Sequence, residues 1–379
     1  MSSSTTDFTA AWPNPSLGRR SLLRAVGAAG LAAGAGAALA ACGGAANSAG
    51  GGTLSDLAVQ LSWIKNCEFV GEYLATERGY YRAAGFTGVD LLAGGTSTTA
   101  ESVVLSGKAT VGLSSTPITA AVVSGSGAPL KVIGATYQKN PFAIASLAGH
   151  KPIRTPADLV GKRIGVQAGG NQTLFEALLA ANHIDKSKVQ IVGVQYDQSP
   201  LKNGSVDGFM TYVMGDLKLR AAGFDPVILS FADNGLPFAA ETFTVRQDTI
   251  DGHREALKKF LVAEIRGWTD AINDPRTATD LTVHKYGADQ KLDYADEYGT
   301  AVSIASKLIV TDDTNAHGLF TMTDELVARD LASLATMGYR LDASKLYDLS
   351  LIREVYQEHP ELNKPITPPT EIDPQKAAK

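Results

Sequence analysis

Trp63-Ile64-Lys65-Asn66-Cys67-Glu68-Phe69-Val70-Gly71-Glu72-Tyr73-Leu74-Ala75, closed by Gly79-Tyr80-Tyr81 and Gly85-Phe86, decides how the rest of the chain reads. Just before it, residues 57–61 are strand-like, and residues 71–84 carry a helical pattern. A strand, a loop holding Trp and Asn, then a helix is the opening of a βα unit. In sheets built from such units, ligands gather at the carboxyl ends of the strands.

Outward from this stretch the same grammar continues. Strands are expected at 89–92, 111–113 and 130–136, with helices at 97–106 and 117–124 between them. The middle repeats it, with strands at 142–147, 163–167, 189–194 and 227–230 and helices at 173–182 and 217–222. A strand at 242–246 then leads into a long helix. There Leu257, Phe260, Leu261, Ile265, Trp268 and Ile272 fall on one face. Residues 294–308, 323–337 and 350–358 read as helices. The polar, Pro-rich tail from Asn363 is expected to be loose. Strands alternating with helices of this length indicate an α/β fold with parallel strand pairs. The pattern permits two α/β lobes, one inserted in the other: 54–136 plus 241–362, and 137–240. The crossings fall near 136–141 and 232–241, where Asn-Pro and Asp-Asn-Gly-Leu-Pro break the periodicity.

The opening stretch resembles the N-terminal signature of the SsuA/THI5-like (NMT1-like) substrate-binding proteins. That signature has a Trp and an Asn after the first strand, a Gly and a Tyr starting the first helix, and Gly-Tyr-Tyr/Phe ending it. Further matches follow in order: Ser106-Gly107-Lys108-Ala109, Gly127-Ala128-Pro129-Leu130-Lys131, Gln138-Lys139-Asn140-Pro141-Phe142, Asp158 to Val166, and Val206-Asp207-Gly208. The resemblance covers most of residues 54–340. It implies a two-lobed type II periplasmic-binding-protein fold, a small molecule in the cleft, no cofactor, and ABC permease subunits as partners of a monomer. Kin of this family bind thiamine pyrimidine precursors, sulfonates, nitrate or riboflavin, and residues 66–73 look closest to the pyrimidine branch. One departure stands against that branch. Where relatives often carry Asn-Glu, this chain has Tyr212-Val213-Met214-Gly215-Asp216. Eukaryotic enzymes of the same family place a His two residues before the Gly, where this chain has Phe69. An enzyme and a ligand sensor are the other classes to weigh.

Candidate ligand residues follow from chemistry and position. Trp63 offers a flat indole for a heteroaromatic ring, or a core contact. Asn66 both donates and accepts, as an amino-pyrimidine edge requires, or shapes a turn. Glu68 suits a protonated ring nitrogen or exocyclic amine, or is a solvated surface charge. Tyr73 packs in its helix. Ser114 and Ser115 lead into one helix start, and Gln167 and Asn171 into another; such starts bind anions or carbonyl oxygens, or are simply capped. Tyr137 and Gln138 at a crossing, and Tyr212 in the second lobe, complete the expected lining. The six histidines are scattered without metal-ligand spacing.

The first 42 residues speak to location. Arg19-Arg20 precedes the run from Ala25 to Ala41, built almost only from Ala, Gly, Leu and Val, which ends at Leu39-Ala40-Ala41-Cys42. This resembles a twin-arginine export signal joined to a bacterial lipobox, so lipid on Cys42 would hold the protein at the outer face of the cytoplasmic membrane. A membrane span needs ~20 apolar residues, and this run has 17. Residues 42–53 then read as a flexible tether. From Cys42 onward the chain holds 31 basic and 38 acidic residues, a balance that argues against nucleic acid. With Cys42 lipidated, Cys67 has no disulfide partner and reads as a small buried hydrophobe.

Overall fold

The computed structural model describes residues 54–95, 98–168 and 170–376. The export signal, Cys42 and the tether expected from the sequence lie outside the described residues. The described strands are β1 (Asp56–Gln60), β2 (Gly88–Leu92), β3 (Val111–Ser115), β4 (Leu130–Tyr137), β5 (Phe142–Leu147), β6 (Arg163–Val166), β7 (Gln190–Gly193), β8 (Gly208–Tyr212), β9 (Pro226–Ser230) and β10 (Ala240–Arg246). They form two five-stranded sheets, ordered β2-β1-β3-β10-β4 and β7-β6-β8-β5-β9. In each sheet three strands run parallel, and one antiparallel strand (β10 or β5) sits between the third of these and the edge strand. β8 is the strand that periodicity does not reveal. It is central and short, its Gly208, Phe209 and Met210 are buried in succession, and no alternation marks it.

The opening stretch folds as a turn and two helices. Asn66 Oδ1 accepts from the Glu68 amide at 2.9 Å and caps a single 3-10 turn, Cys67–Phe69, which runs on into the helix Val70–Glu77. The single helix expected over 71–84 is broken because Gly79 takes a left-handed φ of 71°; the chain restarts as Tyr80–Ala83. The helix Gln247–Asn273 crosses Val70–Glu77 at close range. A Cβ on Gly71 would lie 2.1 Å from the Trp268 ring, and one on Gly267 would lie 2.3 Å from the Gly71 carbonyl. All six residues of the expected apolar stripe on the long helix are buried. Glu72 and Glu264 face into the same crossing, both fully buried, and the Tyr81 hydroxyl donates to Glu264 Oε1.

The chain passes from the first sheet to the second between Tyr137 and Phe142, and returns between Ser230 and Ala240. Side chains fasten both crossings. Buried Asn140 donates to the Leu236 carbonyl at 2.9 Å and accepts from the Phe142 amide, tying one crossing to the other. The buried Asp330 carboxylate accepts from the Ala239 amide (2.9 Å), the Thr116 hydroxyl (2.9 Å) and the Tyr347 hydroxyl (2.9 Å). Phe238 packs in the core of the second sheet, whereas Ala239 packs in that of the first. The Gln138 amide is fixed to Leu308 O on the first side.

One family-motif residue finds its role here, and one expectation changes. Asp207 of the Val206-Asp207-Gly208 motif is structural: it accepts from the Arg163 amide and guanidinium and from Lys151. The tail expected to be loose from Asn363 instead docks. Ile366 is buried, its amide donates to Asn315 at 2.8 Å, and Arg276 reaches the Pro374 carbonyl. A few apolar and backbone anchors suffice to hold a polar, Pro-rich segment.

Candidate functional site

The parallel strands of each sheet end on a shared edge, and a cavity of about 310 Å³ lies between the two edges. Ser62 and Trp63 reach it from the end of β1, Ser114 and Ser115 from β3, Asn171 from the helix after β6, and Tyr212 from β8. These are the carboxyl-end positions at which α/β sheets collect ligands. An adjoining cavity of about 460 Å³ shares Trp63, Glu68, Asn171, Tyr196 and Tyr212, and adds Asn66 and Gln167. The structure therefore brings nine of the ten expected lining residues to this cleft: Trp63, Asn66, Glu68, Ser114, Ser115, Tyr137, Gln167, Asn171 and Tyr212. Gln138 is the exception. Its side chain turns back to donate to Ala135 O, and it lines a separate groove of about 550 Å³ beside the crossings, with Lys139, Pro237, Asp312 and Arg329. Adjacent residues of an extended chain point to opposite faces, so Tyr137 lines the cleft and Gln138 cannot. Tyr73 is buried and stacks on Tyr286 with ring centres 4.2 Å apart, as a helix-packing residue should.

Aromatic rings come from both sides. Trp63, from the first sheet, lies 5.3 Å from Tyr196 of the second, at 53°. Phe142 and Tyr212 pack beneath at 5.1 Å. Such a frame suits a flat ligand.

Hydroxyls and three carboxyls supply most of the polar lining: the charged groups of the inner cavity are Glu68, Glu101 and Glu241, with no Lys, Arg or His among its described residues, whereas Lys202 and Lys218 line the adjoining cavity. Glu68 Oε1 accepts from Asn66 at 3.3 Å. Burial lifts its carboxyl to about 7; the Asn66 hydrogen bond opposes the rise and the Glu297 carboxylate adds to it. Glu101, 1% exposed, accepts on Oε1 from Ser114 (2.5 Å) and Thr119 (2.8 Å), leaving Oε2 without a partner. Glu241 accepts on Oε1 from Ser62 at 2.7 Å, and its buried Oε2 also lacks a partner. Burial first, then Glu68, push the Glu241 carboxyl well above the usual range. The buried Tyr137 hydroxyl is unpartnered as well.

Sequence reasoning missed Ser62, Glu101, Tyr196 and Glu241. Glu101 sits in the first turn of a helix, where acids are common for reasons of the helix dipole alone. Glu241 did carry a signal: a lone acid at the head of the β-branched run Thr242–Arg246, directly after the Leu236-Pro237 break.

A family model described as NMT1/THI5 like matches residues 66–278. The riboflavin-binding protein RibY of Chloroflexus aurantiacus is 28% identical over 242 residues, 61% of this chain and 66% of that protein, so the chain spans just under two thirds of its length. The periplasmic sulfonate-binding protein SsuA of Methylobacillus flagellatus KT superposes with a TM-score of 0.60 at 15% identity, covering 84% of this chain and 98% of that one. The periplasmic nitrate-binding protein NrtA of Synechocystis PCC 6803 gives 0.58 at 14%, covering 84% and 92%. At such identities the two structures speak for the fold alone. The family model spans more than half of the sequence: the chain belongs to the NMT1/THI5-like family and has the periplasmic-binding-protein fold.

Proposed function

We propose that this protein captures a small planar heterocycle bearing N–H donors and delivers it to an ABC importer. In this reading it works outside the cytoplasmic membrane, held there by lipid on Cys42. The observation that carries the reading is the inner cavity, framed by aromatic rings from both sheets and lined by three carboxyl groups with no cation among its described residues, the lysines Lys202 and Lys218 lining only the adjoining cavity. A unit negative charge ~5 Å from one ionised carboxylate is disfavoured by about 3 kcal/mol at an effective dielectric of ~20. Burial already holds Glu68 and Glu241 toward the protonated form, which lowers this cost for an anion, whereas an N–H donor favours their ionised form and pairs with it. A thiamine-type aminopyrimidine precursor is the first ligand to try, with Trp63 stacking and Glu68 on the amine. The likeness to RibY makes a flavin ring the second. Binding of an anion is the competing reading, favoured by the two helix starts, at Ser115 and Gly170, that reach the cavity.

Native mass spectrometry of the isolated chain should reveal a retained heterocycle of unchanged mass, as capture without turnover requires. Thermal-shift titration with 4-amino-5-hydroxymethyl-2-methylpyrimidine, riboflavin, methanesulfonate and nitrate then separates the classes. A shift with a heterocycle supports the reading; a shift with the anions alone overturns it.

A further inference from the structure

Glu241 occupies a backbone position that suits glycine. On β10, Ala240 pairs with Ser115 and Thr242 with Ser114, so Glu241 is the extra residue of a bulge against β3. Its φ is +45°, in the left-handed region. Bulges that place a residue there normally use Gly, because a Cβ crowds the neighbouring carbonyl. The position is pinned on both sides: Asp330 holds the preceding Ala239 amide at 2.9 Å, and Ser62 holds the Glu241 carboxylate at 2.7 Å. The side chain turns into the cavity, its Oε2 buried and unpartnered, with no cation beside it among the described residues that line the site. The fold gains one hydrogen bond, from Ser62, against a strained backbone and a carboxylate withdrawn from water with its second oxygen unused.

We infer that Glu241 is a specificity-determining residue, retained against its own strain to accept an N–H donor of the ligand on Oε2. The inference rests on the cleft being the ligand site. Glu101, on the same side of the cavity, has a second buried, unpartnered carboxylate oxygen among the lining residues. A site of this kind rejects an isostere that replaces N–H with a carbonyl, since two acceptors would then face each other.

A strained binding residue and a structural one give opposite signs on replacement. Glu241→Gly, in chain stripped of ligand by unfolding and refolding, should raise Tm by about 2 °C or more. Glu241→Gln keeps the backbone strain and should weaken the 4-aminopyrimidine or riboflavin probe at least tenfold, whichever binds. A Tm for Glu241→Gly that falls or stays level overturns the inference, with or without a bound probe. So does an unchanged probe affinity in Glu241→Gln. If Trp63→Ala loses the probe while Glu241→Gln keeps it, the cleft reading stands and this inference alone fails. If neither variant alters the affinity of a bound probe, the cleft reading itself fails.

Discussion

Replacing Glu264 with Gln should change how stability depends on pH. Glu264 and Glu72 face each other between the two most closely packed helices, both fully buried, and among the described residues neither has an ion-pair partner. Burial pushes the Glu264 carboxyl up to about 8, the Tyr81 hydrogen bond opposing. Burial first, and then Glu264, push Glu72 well above its ordinary value. A carboxyl raised on folding contributes stability that is full below its unfolded value of ~4.3 and is lost as pH rises through the folded one. Each pH unit in that window removes ~1.4 kcal/mol, so between pH 4.3 and 8 the wild type forfeits roughly 5 kcal/mol at this one site. Glu264→Gln retains an acceptor for Tyr81 and cannot ionise. It should therefore match the wild type within ~1 kcal/mol at pH 5 and exceed it by several kcal/mol at pH 9. Urea unfolding followed by circular dichroism at unit steps of pH gives both curves, with the slope m confirming that the unfolded state is unaltered. Two parallel curves from pH 5 to pH 9 would refute a carboxyl raised by burial at Glu264.

Gly71→Ala puts a methyl group into the Trp268 ring, and the forced separation of the helices should lower stability by ~2–3 kcal/mol in the same urea assay. Asp330→Ala strands the Ala239 amide and the Thr116 and Tyr347 hydroxyls. A loss of ~2–4 kcal/mol is expected, with Asp330→Asn recovering part of it; equal loss in both variants would count against the hydrogen-bonding account. Trp63→Ala should weaken a stacked heterocycle by at least ~1 kcal/mol, measured by calorimetric titration, and an unchanged affinity would remove Trp63 from the site.

The fold was largely legible because its determinants are periodic and local. The stripe from Leu257 to Ile272 and the breaks near Asn140 and Leu236 mark a long core helix and two passages between sheets without any tertiary knowledge. Trp63, Ser114 and Asn171 were equally findable, since each follows a recognisable strand and the carboxyl end of a strand is where an α/β site forms. What escaped depends on pairing across the chain. Nothing local distinguishes Glu101 from an ordinary first-turn acid; its role emerges when Ser114 and Thr119 are found bonded to it. Glu241 becomes exceptional only once the register against Ser114 and Ser115 leaves it as the extra residue. Gln138 erred the other way, because the face presented by one residue of an extended crossing cannot be read until its neighbour's is known.

The fastening of the crossings has a mechanical consequence. Gln138 and Ala239 are anchored to one sheet, Asn140 and Phe238 to the other, so a change of angle between the sheets must be absorbed at Lys139 and at the Phe238–Ala239 link. Two pivots define a single axle, and jaws on an axle move their back when they move their front. The groove of about 550 Å³ beside that axle takes Lys139 from a moving link, Pro237 from the second sheet's side and Asp312 and Arg329 from the first. A fluorophore on Lys139 would then sense the jaws' angle from outside the ligand cavity, making the chain a ready frame for an optical sensor whose reporter never competes with its analyte.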